Sequence, residues 1–197
     1  VALLASIGIA NRNHDGQLED EAGKPVRFSV LTRKGNTVIE RTLANLQEQL
    51  RAIGLGLDIE ALDKDPMFKK FFAGDYDAMF YTAPVLSLDP ANNSDLWLSS
   101  GAFHFWNPGQ ATPATAWEKR IDDLMREQAT TMDMKKRQAL FGEVQQVFLE
   151  HEPMLFFAYP KVTLAMSARV TGAAPNVMQP QVLWKPETLG VSGSGGR

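Results

Sequence analysis

The stretch VRFSVLTRKGNTVIERTLANLQEQLRAIGLGLDIEA, residues 26–61, decides the fold. Apolar and polar residues alternate at both of its ends, over residues 26–32 and 55–61, which is typical of β-strands with one buried face. Between the two strands, apolar residues recur every three or four positions, the spacing of a helix with one buried side: Ile39, Leu43, Leu46, Leu50 and Ile53. Thr37 and Glu40 form a capping-box pair at the start of this helix, and Gly54 is expected to end it.

A second helix and a third strand are predicted directly afterwards. Asp65 and Pro66 are a typical helix start, the helix is expected to continue through Phe72, and Gly74 is expected to close it. A third strand is predicted over residues 77–81. The order strand, helix, strand, helix, strand, with short connections and right-handed crossovers, predicts an α/β fold with helices layered on a parallel sheet.

Two longer helices are predicted in the second half of the chain. Thr115 and Glu118 form another capping-box pair, and Asp133 is a typical N-cap. The residues expected on the inner sides of these helices are Trp117, Ile121, Leu124, Met125, Leu140, Val144, Val147 and Phe148.

Two further strands are predicted behind these helices. Pro153 is expected to end the second helix. Residues 154–158 and 162–166 are rich in aromatic and β-branched side chains, and they predict strands joined by a turn at residues 160–161, which makes the layered sheet a mixed one. Residues 190–197 are mostly Gly and Ser and are expected to be flexible.

The composition excludes several classes of function. With 197 residues, of which 44% are apolar, the chain is long enough to bury a core as one domain. A net charge of -3 without a Lys/Arg stripe speaks against binding to nucleic acid. The absence of cysteine excludes thiol catalysis and thiolate zinc sites. The apolar opening, residues 1–10, is too short to cross a bilayer and is expected to be the end of an amphipathic helix within a longer protein.

Residue types that catalyse reactions or bind metals are present, but their spacing matches no known catalytic or metal-binding motif. His14, His104 and His151 do not form a zinc motif, and His151 is expected to stabilise a helix end. Residues 11–16 resemble the start of a calcium loop, but Ala22 stands where a bidentate Glu belongs, so a polar turn is expected. The sequence has neither a nucleophile elbow nor a phosphate-binding glycine loop. We therefore expect no catalytic residues, no metal and no cofactor.

An irregular segment, YTAPVLSLDPANNSDLWLSSGAFHFW at residues 81–106, follows the third predicted strand. Broad apolar rings and neutral hydrogen-bonding groups are mixed here as in a ligand cleft. The side chains that suit such a cleft are Tyr81, Ser87, Trp97, Phe103, His104 and Trp106. Open α/β folds bind ligands beyond the carboxyl ends of their strands, so we predict that this segment is one wall of a binding site. An alternative interpretation is that the tryptophans merely pack the segment onto the core.

Four short stretches follow one another in a characteristic order and spacing. They are HDGQLED at 14–20 with GKP at 23–25, the pattern from EQL at 48–50 through IG at 53–54 to Leu57, GDYDAM at 74–79 with Asp89-Pro90, and RQALF at 137–141 with EPML at 152–155. In this arrangement the chain resembles, over essentially its whole length, the family of solute-binding proteins that feed peptide, nickel and related ABC importers. The resemblance implies a type II periplasmic-binding-protein-like lobe, the carboxyl-terminal one of two that close over a ligand.

The resemblance also implies where the ligand lies. The stretch after the third strand faces the cleft between the lobes in such proteins, and in peptide-binding relatives its backbone pairs with the ligand. By position it comprises Tyr81, Thr82, Ala83, Pro84, Val85 and Leu86. Enteric peptide binders hold the amino terminus of the ligand with an aspartate four residues before the proline of this region, where this chain has Leu86. A free peptide amine is therefore not the expected anchor, and Asp89 is the alternative acid.

The implied protein captures a peptide or another small solute and delivers it to an ABC permease in the membrane, without catalysis. It is implied to be periplasmic or extracytoplasmic, with a signal peptide outside this sequence. The implied division is an entry helix and polar turn at 1–25, the ligand-binding lobe at 26–169, a segment returning to the missing amino-terminal lobe at 170–189, and a tail at 190–197.

Two alternatives belong to other classes of function. A stand-alone interaction module would use the surface of Trp97, Phe103 and Trp106 to bind another protein. A hydrolase would have to use Ser87 or Asp89 without a nearby histidine.

Overall fold

The computed structural model describes residues 2–82, 87, 89–157, 161, 163–176 and 181–193. Its helices are α1 (Ala2–Ser6), α2 (Thr37–Ala52), α3 (Lys64–Ala73), α4 (Ser94–Trp97), α5 (Ala116–Thr130) and α6 (Met134–His151). Its strands are β1 (Arg27–Arg33), β2 (Gly56–Leu62), β3 (Ala78–Met79), β4 (Val170–Thr171) and β5 (Gly190–Val191). Short 3-10 turns lie at Pro90–Asn93, Val182–Trp184 and Pro186–Thr188.

Strand β1 is the centre of a three-stranded sheet with the order β2-β1-β3. Both of its neighbours run parallel to it, with Val30 opposite Ile59 on one edge and opposite Ala78 on the other. The α/β fold predicted from the sequence is therefore confirmed. Strand β3 is shorter than predicted, since only Ala78 and Met79 pair with β1.

The two helices that connect these strands cover opposite faces of the sheet. Val30 lies in one buried cluster with Leu43 of α2, and its neighbour Leu31 lies in another with Met67 and Phe71 of α3. Successive side chains of a strand point to opposite faces, so β1 is buried on both sides. This is the layered arrangement that the order of elements predicts.

The predicted cap of α2 is wrong by one residue. Asn36 is the N-cap, and its side chain accepts hydrogen bonds from the backbone N–H groups of Val38 and Ile39. Glu40 accepts instead from the N–H of Gly35. Asparagine caps a helix at least as well as threonine, so the helix includes Thr37 as its first residue.

The predicted start of α3 is also wrong. The helix begins at Lys64, with Asp63 as its N-cap residue, so Asp65 and Pro66 lie in the first turn. Proline is tolerated there because the first backbone N–H groups of a helix have no partner within it. Gly74 ends the helix in the left-handed conformation at φ 69°, as predicted.

Helices α5 and α6 form a hairpin around a second core. Its buried residues are Ile121, Leu124, Met125, Leu140, Val144 and Phe148. The Thr115–Glu118 capping box and the Asp133 N-cap are both present, which confirms the predicted helix starts. Helix α6 ends at His151, two residues before Pro153, and the ring of His151 stacks on Trp117 with centroids 4.9 Å apart.

The two strands predicted after α6 are wrong for the residues that the structure describes. Residues 154–157, 161 and 163–166 belong to no strand, while residues 158–160 and 162 of these predictions lie outside the described part. A strand needs a neighbouring strand to accept its backbone hydrogen bonds. Leu155, Phe156 and Phe157 are instead 68%, 64% and 55% exposed.

The tail is more ordered than its composition predicts, as far as residue 193. Gly190 and Val191 form β5, which pairs antiparallel with β4. Ser192 continues the contact by donating its backbone N–H to the carbonyl of Arg169. Residues 194–197 of the predicted flexible tail lie outside the described residues.

The amino-terminal part consists of α1 and a polar turn. Helix α1 has no buried residue, and Leu3 is 85% exposed. In the turn, Asn13 accepts from the N–H of Asp15, and Asp15 accepts from the N–H of Gln17, so this is the polar turn that the sequence predicts.

Within the described part of the chain, none of the helices has the length and apolar character needed to cross a bilayer.

Buried carboxylates of α5 bind the residues that precede this helix. The carboxylate of Glu118, 2% exposed, accepts from the N–H groups of Ala114 and Thr115 and from the side-chain amide of Gln110, at 3.0, 2.9 and 3.0 Å. Asp122, 1% exposed, accepts from the N–H of Ser99 at 2.8 Å. Burial alone would raise the pKa of Glu118, but the hydrogen bonds from Gln110 and Thr115 outweigh it and hold the pKa below its ordinary value.

We expect acidification to weaken the fold partly through Glu118. Because its pKa is lower in the folded chain than in the unfolded chain, its contribution is complete above the unfolded pKa and is lost as the pH falls through the folded value. The Glu118→Gln variant should be less stable at pH 7, and its free energy of unfolding should fall less steeply than that of the unmodified chain below about pH 4. Urea unfolding between neutral and acid pH measures both effects.

The matched control is Glu48→Gln, since the side chain of Glu48 is 76% exposed. It should keep the acid slope of the unmodified chain. An unchanged slope in Glu118→Gln would show that Glu118 does not contribute to the acid sensitivity.

Candidate functional site

A depression lies at the carboxyl edge of the sheet, between the ends of β1 and β3. Residues 32–37 and Ile39 form one side of it and residues 80–82 form the other, and its volume is about 490 Å³. The chain leaves β1 towards β2 on one edge of the sheet, whereas β3 lies on the other edge. The depression is therefore at the point where the strand order reverses, which is where open α/β sheets bind their ligands.

The two sides of the depression are held by backbone geometry. Gly35 adopts φ 86°, a left-handed conformation that glycine reaches without strain, and Asn36 then caps α2. On the other side, the N–H of Phe80 donates to the carbonyl of Leu31 at 2.9 Å, and the hydroxyl of Thr32 donates to the carbonyl of Phe80 at 3.1 Å. These bonds fix the position from which Tyr81 and Thr82 leave the sheet.

The charged side chains at the depression are both basic. Lys34 pairs with Asp63 at 2.7 Å, across exposed surface. Arg33 is exposed, and none of the described residues pairs with its guanidinium group. Among the described residues that line this depression there is no carboxylate, so the site favours an anionic group.

Arg33 and Asn36 were not predicted as site residues from the sequence. Their signal is topological: they follow the central strand β1, and the ends of parallel strands meet at one edge of a sheet. The strand order that places β1 next to β3 had to be known before this connection could be assigned to the same edge as Tyr81.

The predicted binding segment is only partly described. Tyr81, 41% exposed, and Thr82 lie at the rim of the depression. The rest of the segment, Ala83, Pro84, Val85 and Leu86, lies outside the described residues. The structure therefore does not test whether Leu86 takes the place of the aspartate of peptide binders. The role of these four residues in binding stays a prediction.

Ser87 and Asp89 shape the turn that follows this segment. The hydroxyl of Ser87 accepts from the N–H of Asp89 and from the side chain of Asn92. Asp89 caps the 3-10 turn through the N–H of Ala91 and pairs with Arg137 of α6 at 2.6 Å. The hydrogen bond from Arg137 lowers the pKa of Asp89. Asp89 is therefore engaged by a cation of its own chain and is a poor anchor for a ligand amine.

The two tryptophans of the segment pack onto the helical core. Trp97 contacts Phe141 and Phe148 edge-to-face with centroids 5.4 Å apart in each case, and Trp106 contacts Phe148 at 5.4 Å. Both are half-buried in the α5–α6 cluster. This corresponds to the alternative interpretation, and it removes two of the three rings from the surface that a stand-alone interaction module would use.

His104 is buried as well, at 1% exposure. Its ring lies 3.9 Å from that of Trp106, and Gln110 approaches its Nε2 at 2.9 Å. The expectation that His104 faces an open cleft is therefore corrected, because the ring is enclosed between Trp106 and the Glu118 network. Phe103, by contrast, is 46% exposed.

The described residues bring together no group of three or more His, Asp or Glu side chains that could hold a metal ion. In the turn at residues 11–16, the oxygens of Asn13 and Asp15 accept hydrogen bonds from the backbone of their own turn. Ser87 and Asp89 are occupied by the bonds of their turn, and no histidine is among their described partners.

Comparisons with known proteins find similarity to binding proteins for peptides and related solutes. No family model matches the sequence. The oligopeptide-binding protein AppA of Bacillus subtilis is 28% identical over 174 residues, which are 86% of this chain and 30% of AppA. The glutathione-binding protein GsiB of Salmonella paratyphi A is 26% identical over 164 residues, 79% of this chain and 31% of GsiB. The chain thus spans less than a third of the length of these relatives.

Solved structures share the fold. The structure of AppA in complex with a nonapeptide matches 98% of this chain and 36% of AppA, with a TM-score of 0.68 and 24% identity. The periplasmic binding protein MelB of Agrobacterium fabrum, in complex with stachyose, matches 77% of this chain and 24% of MelB, with a TM-score of 0.65 and 23% identity. The resemblance read from the sequence is thereby confirmed: the chain is similar to part of curated oligopeptide- and glutathione-binding proteins, and it shares the fold of periplasmic binding proteins.

Proposed function

We propose that this chain is the carboxyl-terminal lobe of a two-lobed extracytoplasmic protein that captures a peptide or similar small solute. The closed protein delivers the solute to the permease of an ABC importer. The observation that carries the proposal is the depression at the β1/β3 edge of the sheet, where a ligand site is expected and where the rim is open.

The shape of the depression supports a site completed by a second wall. Its volume, about 490 Å³, lies within the range of small-molecule sites, which bury most of the surface of their ligands. Arg33, Tyr81 and Thr82 are all exposed at its rim, so this chain covers a ligand from one side only. Closure of a second lobe by a hinge would supply the opposite wall and exclude water.

Exposed apolar side chains at residues 154–157 are further evidence for a neighbouring polypeptide, which would cover them outside the depression. Leu155, Phe156 and Phe157 expose more than half of their surface in succession. Runs of exposed large apolar side chains are typical of surfaces that are covered in the complete protein. We assign the lobe to residues 26–169 and a segment that returns towards the first lobe to residues 170–189.

Binding without turnover is the activity that the site supports. AppA and GsiB are binding proteins, and MelB is a periplasmic binding protein. At the depression, the described side chains include no nucleophile paired with a base. We therefore place this protein outside the cytoplasm and assign it no reaction.

The charge at the depression indicates which end of a solute it holds. Arg33 can donate to a carboxylate or another anion, and Asp89 is already paired with Arg137. The carboxylate of a peptide satisfies this requirement, so we expect an acidic group of the solute to lie near Arg33.

The two-lobe protein should be stabilised strongly by its solute, and the 197-residue chain alone only slightly, because half of the contacts are absent. A ligand at about one hundred times its dissociation constant adds about 2.7 kcal/mol to the free energy of unfolding. Melting temperatures measured with nonapeptides, glutathione and stachyose test this. Strong, saturable stabilisation of the 197-residue chain alone would contradict the two-lobe site.

Replacing the cation at the depression should weaken capture of acidic solutes. In the two-lobe protein, Arg33→Gln removes a charge-assisted hydrogen bond of about 1.5–3 kcal/mol, so the dissociation constant should rise about tenfold to a hundredfold. Isothermal titration calorimetry with the acid and the amide of the same solute measures the effect, which should be confined to the acid.

Arg41→Gln is the matched control, since Arg41 is an exposed cation on α2 outside the depression. It should leave the affinity unchanged. Equal losses for the acid and its amide in Arg33→Gln would exclude Arg33 as the anionic anchor.

A further inference from the structure

Five aromatic side chains form a continuous row beside the depression. The aromatic row consists of Phe72, Phe68, Tyr81, Phe105 and Phe103, in this order. The ring centroids are 6.0 Å apart from Phe72 to Phe68, 6.1 Å from Phe68 to Tyr81, 5.4 Å from Tyr81 to Phe105 and 5.9 Å from Phe105 to Phe103. It joins helix α3, the end of β3 and the irregular segment, which follow one another between residues 64 and 106.

Three members of the aromatic row are exposed, and the row packs on a buried ring. Phe72, Phe103 and Tyr81 are 60%, 46% and 41% exposed. Beneath them Phe71 is 1% exposed, and its ring contacts Phe72 at 5.1 Å and Phe105 at 5.7 Å. Rings held from below in this way form a rigid apolar surface, which costs little conformational entropy when a ligand binds.

Tyr81 connects the aromatic row to the depression. Its ring is the middle member of the row, and Tyr81 also lines the depression together with Arg33. The depression and the aromatic row therefore meet at Tyr81, so that the exposed Arg33 and the exposed rings belong to adjoining surfaces. The chemistry that complements both surfaces is an acid with an apolar body.

We propose that the aromatic row binds the apolar body of an amphipathic acid whose anionic group lies at Arg33. The proposal rests on the proposed function and specifies its solute: a compound, such as a peptide, with a bulky hydrophobic or aromatic group next to a carboxylate. The apolar body contacts the faces of Tyr81 and Phe105, and larger bodies extend towards Phe72 or Phe103. Contacts of this kind between aromatic groups increase affinity about twofold to tenfold.

The test uses the 197-residue chain and three matched probes. 3-Phenylpropionate carries both the ring and the charge, propionate lacks the ring, and 3-phenylpropanol lacks the charge. Ligand-observed NMR titrations at millimolar concentrations measure each dissociation constant. We expect 3-phenylpropionate to bind at least fivefold more tightly than either of the other probes.

Two variants locate the apolar body on the aromatic row. Phe72→Ala and Phe103→Ala remove its two exposed ends, and both should remain folded because neither side chain belongs to a buried cluster. At least one of them should raise the dissociation constant of 3-phenylpropionate about threefold or more without changing that of propionate. Leu149→Ala is the control, since Leu149 is 63% exposed on α6.

The possible outcomes distinguish this inference from the proposed function. Equal affinities for 3-phenylpropionate and propionate, or Phe72→Ala and Phe103→Ala variants that both bind like Leu149→Ala, overturn the aromatic row as a binding surface. Equal affinities for 3-phenylpropionate and 3-phenylpropanol overturn the link to Arg33, and absence of binding by all three probes overturns the inference as a whole. Capture of solutes by the two-lobe protein is measured separately, and its absence would contradict the proposed function.

Discussion

Parallel pairing of β1 on both of its edges is the constraint on which the rest of the structure depends. Because β2 and β3 lie on opposite sides of β1, the chain must cross the sheet twice, and its helices α2 and α3 must cover opposite faces. The same order opens the β1/β3 edge, since the connection after β1 and the segment after β3 diverge there. The position of the depression, with Arg33 and Tyr81 beside each other at its rim, follows from this strand order.

The irregular segment after β3 is held by charged side chains of α5 and α6. Asp122 of α5 binds the backbone of Ser99, and the Asp89–Arg137 pair binds the first turn of the segment to α6. Glu118 holds the connection that leads from the segment into α5. A buried carboxylate is tolerated only when hydrogen bonds satisfy it, and Glu118 has such bonds from backbone and side chain. These acids are thus engaged by groups of their own chain and hold the region between β3 and α5 in place.

Local patterns predicted the elements that depend on local contacts. The spacing of Leu43 and Leu46 predicted α2, and the alternation around Val30 predicted β1, because each buries one side against the sheet or helix beside it. The predicted caps of α2 and α3 failed because Asn36 and Asp63 were equally good candidates one or two residues earlier. The strands expected after α6 failed because strand pairing requires a partner that no local pattern specifies.

The candidate site depends on tertiary structure and was therefore only partly predictable. Trp97 and Phe103 look alike in the sequence, yet one packs on Phe148 and the other is exposed. No sequence pattern marked Arg33 and Phe72 as site residues, because they come close to Tyr81 only through the strand order and the packing of α3.

The most direct measurement for the central claim is a crystal structure of the two-lobe protein with the solute that it retains on purification from its own source. We expect the solute between the lobes at the β1/β3 edge of this chain, with an acidic group at Arg33 and its body against Tyr81. Well-defined solute elsewhere on the lobe, with the depression filled by water or by the protein's own side chains, would contradict the account.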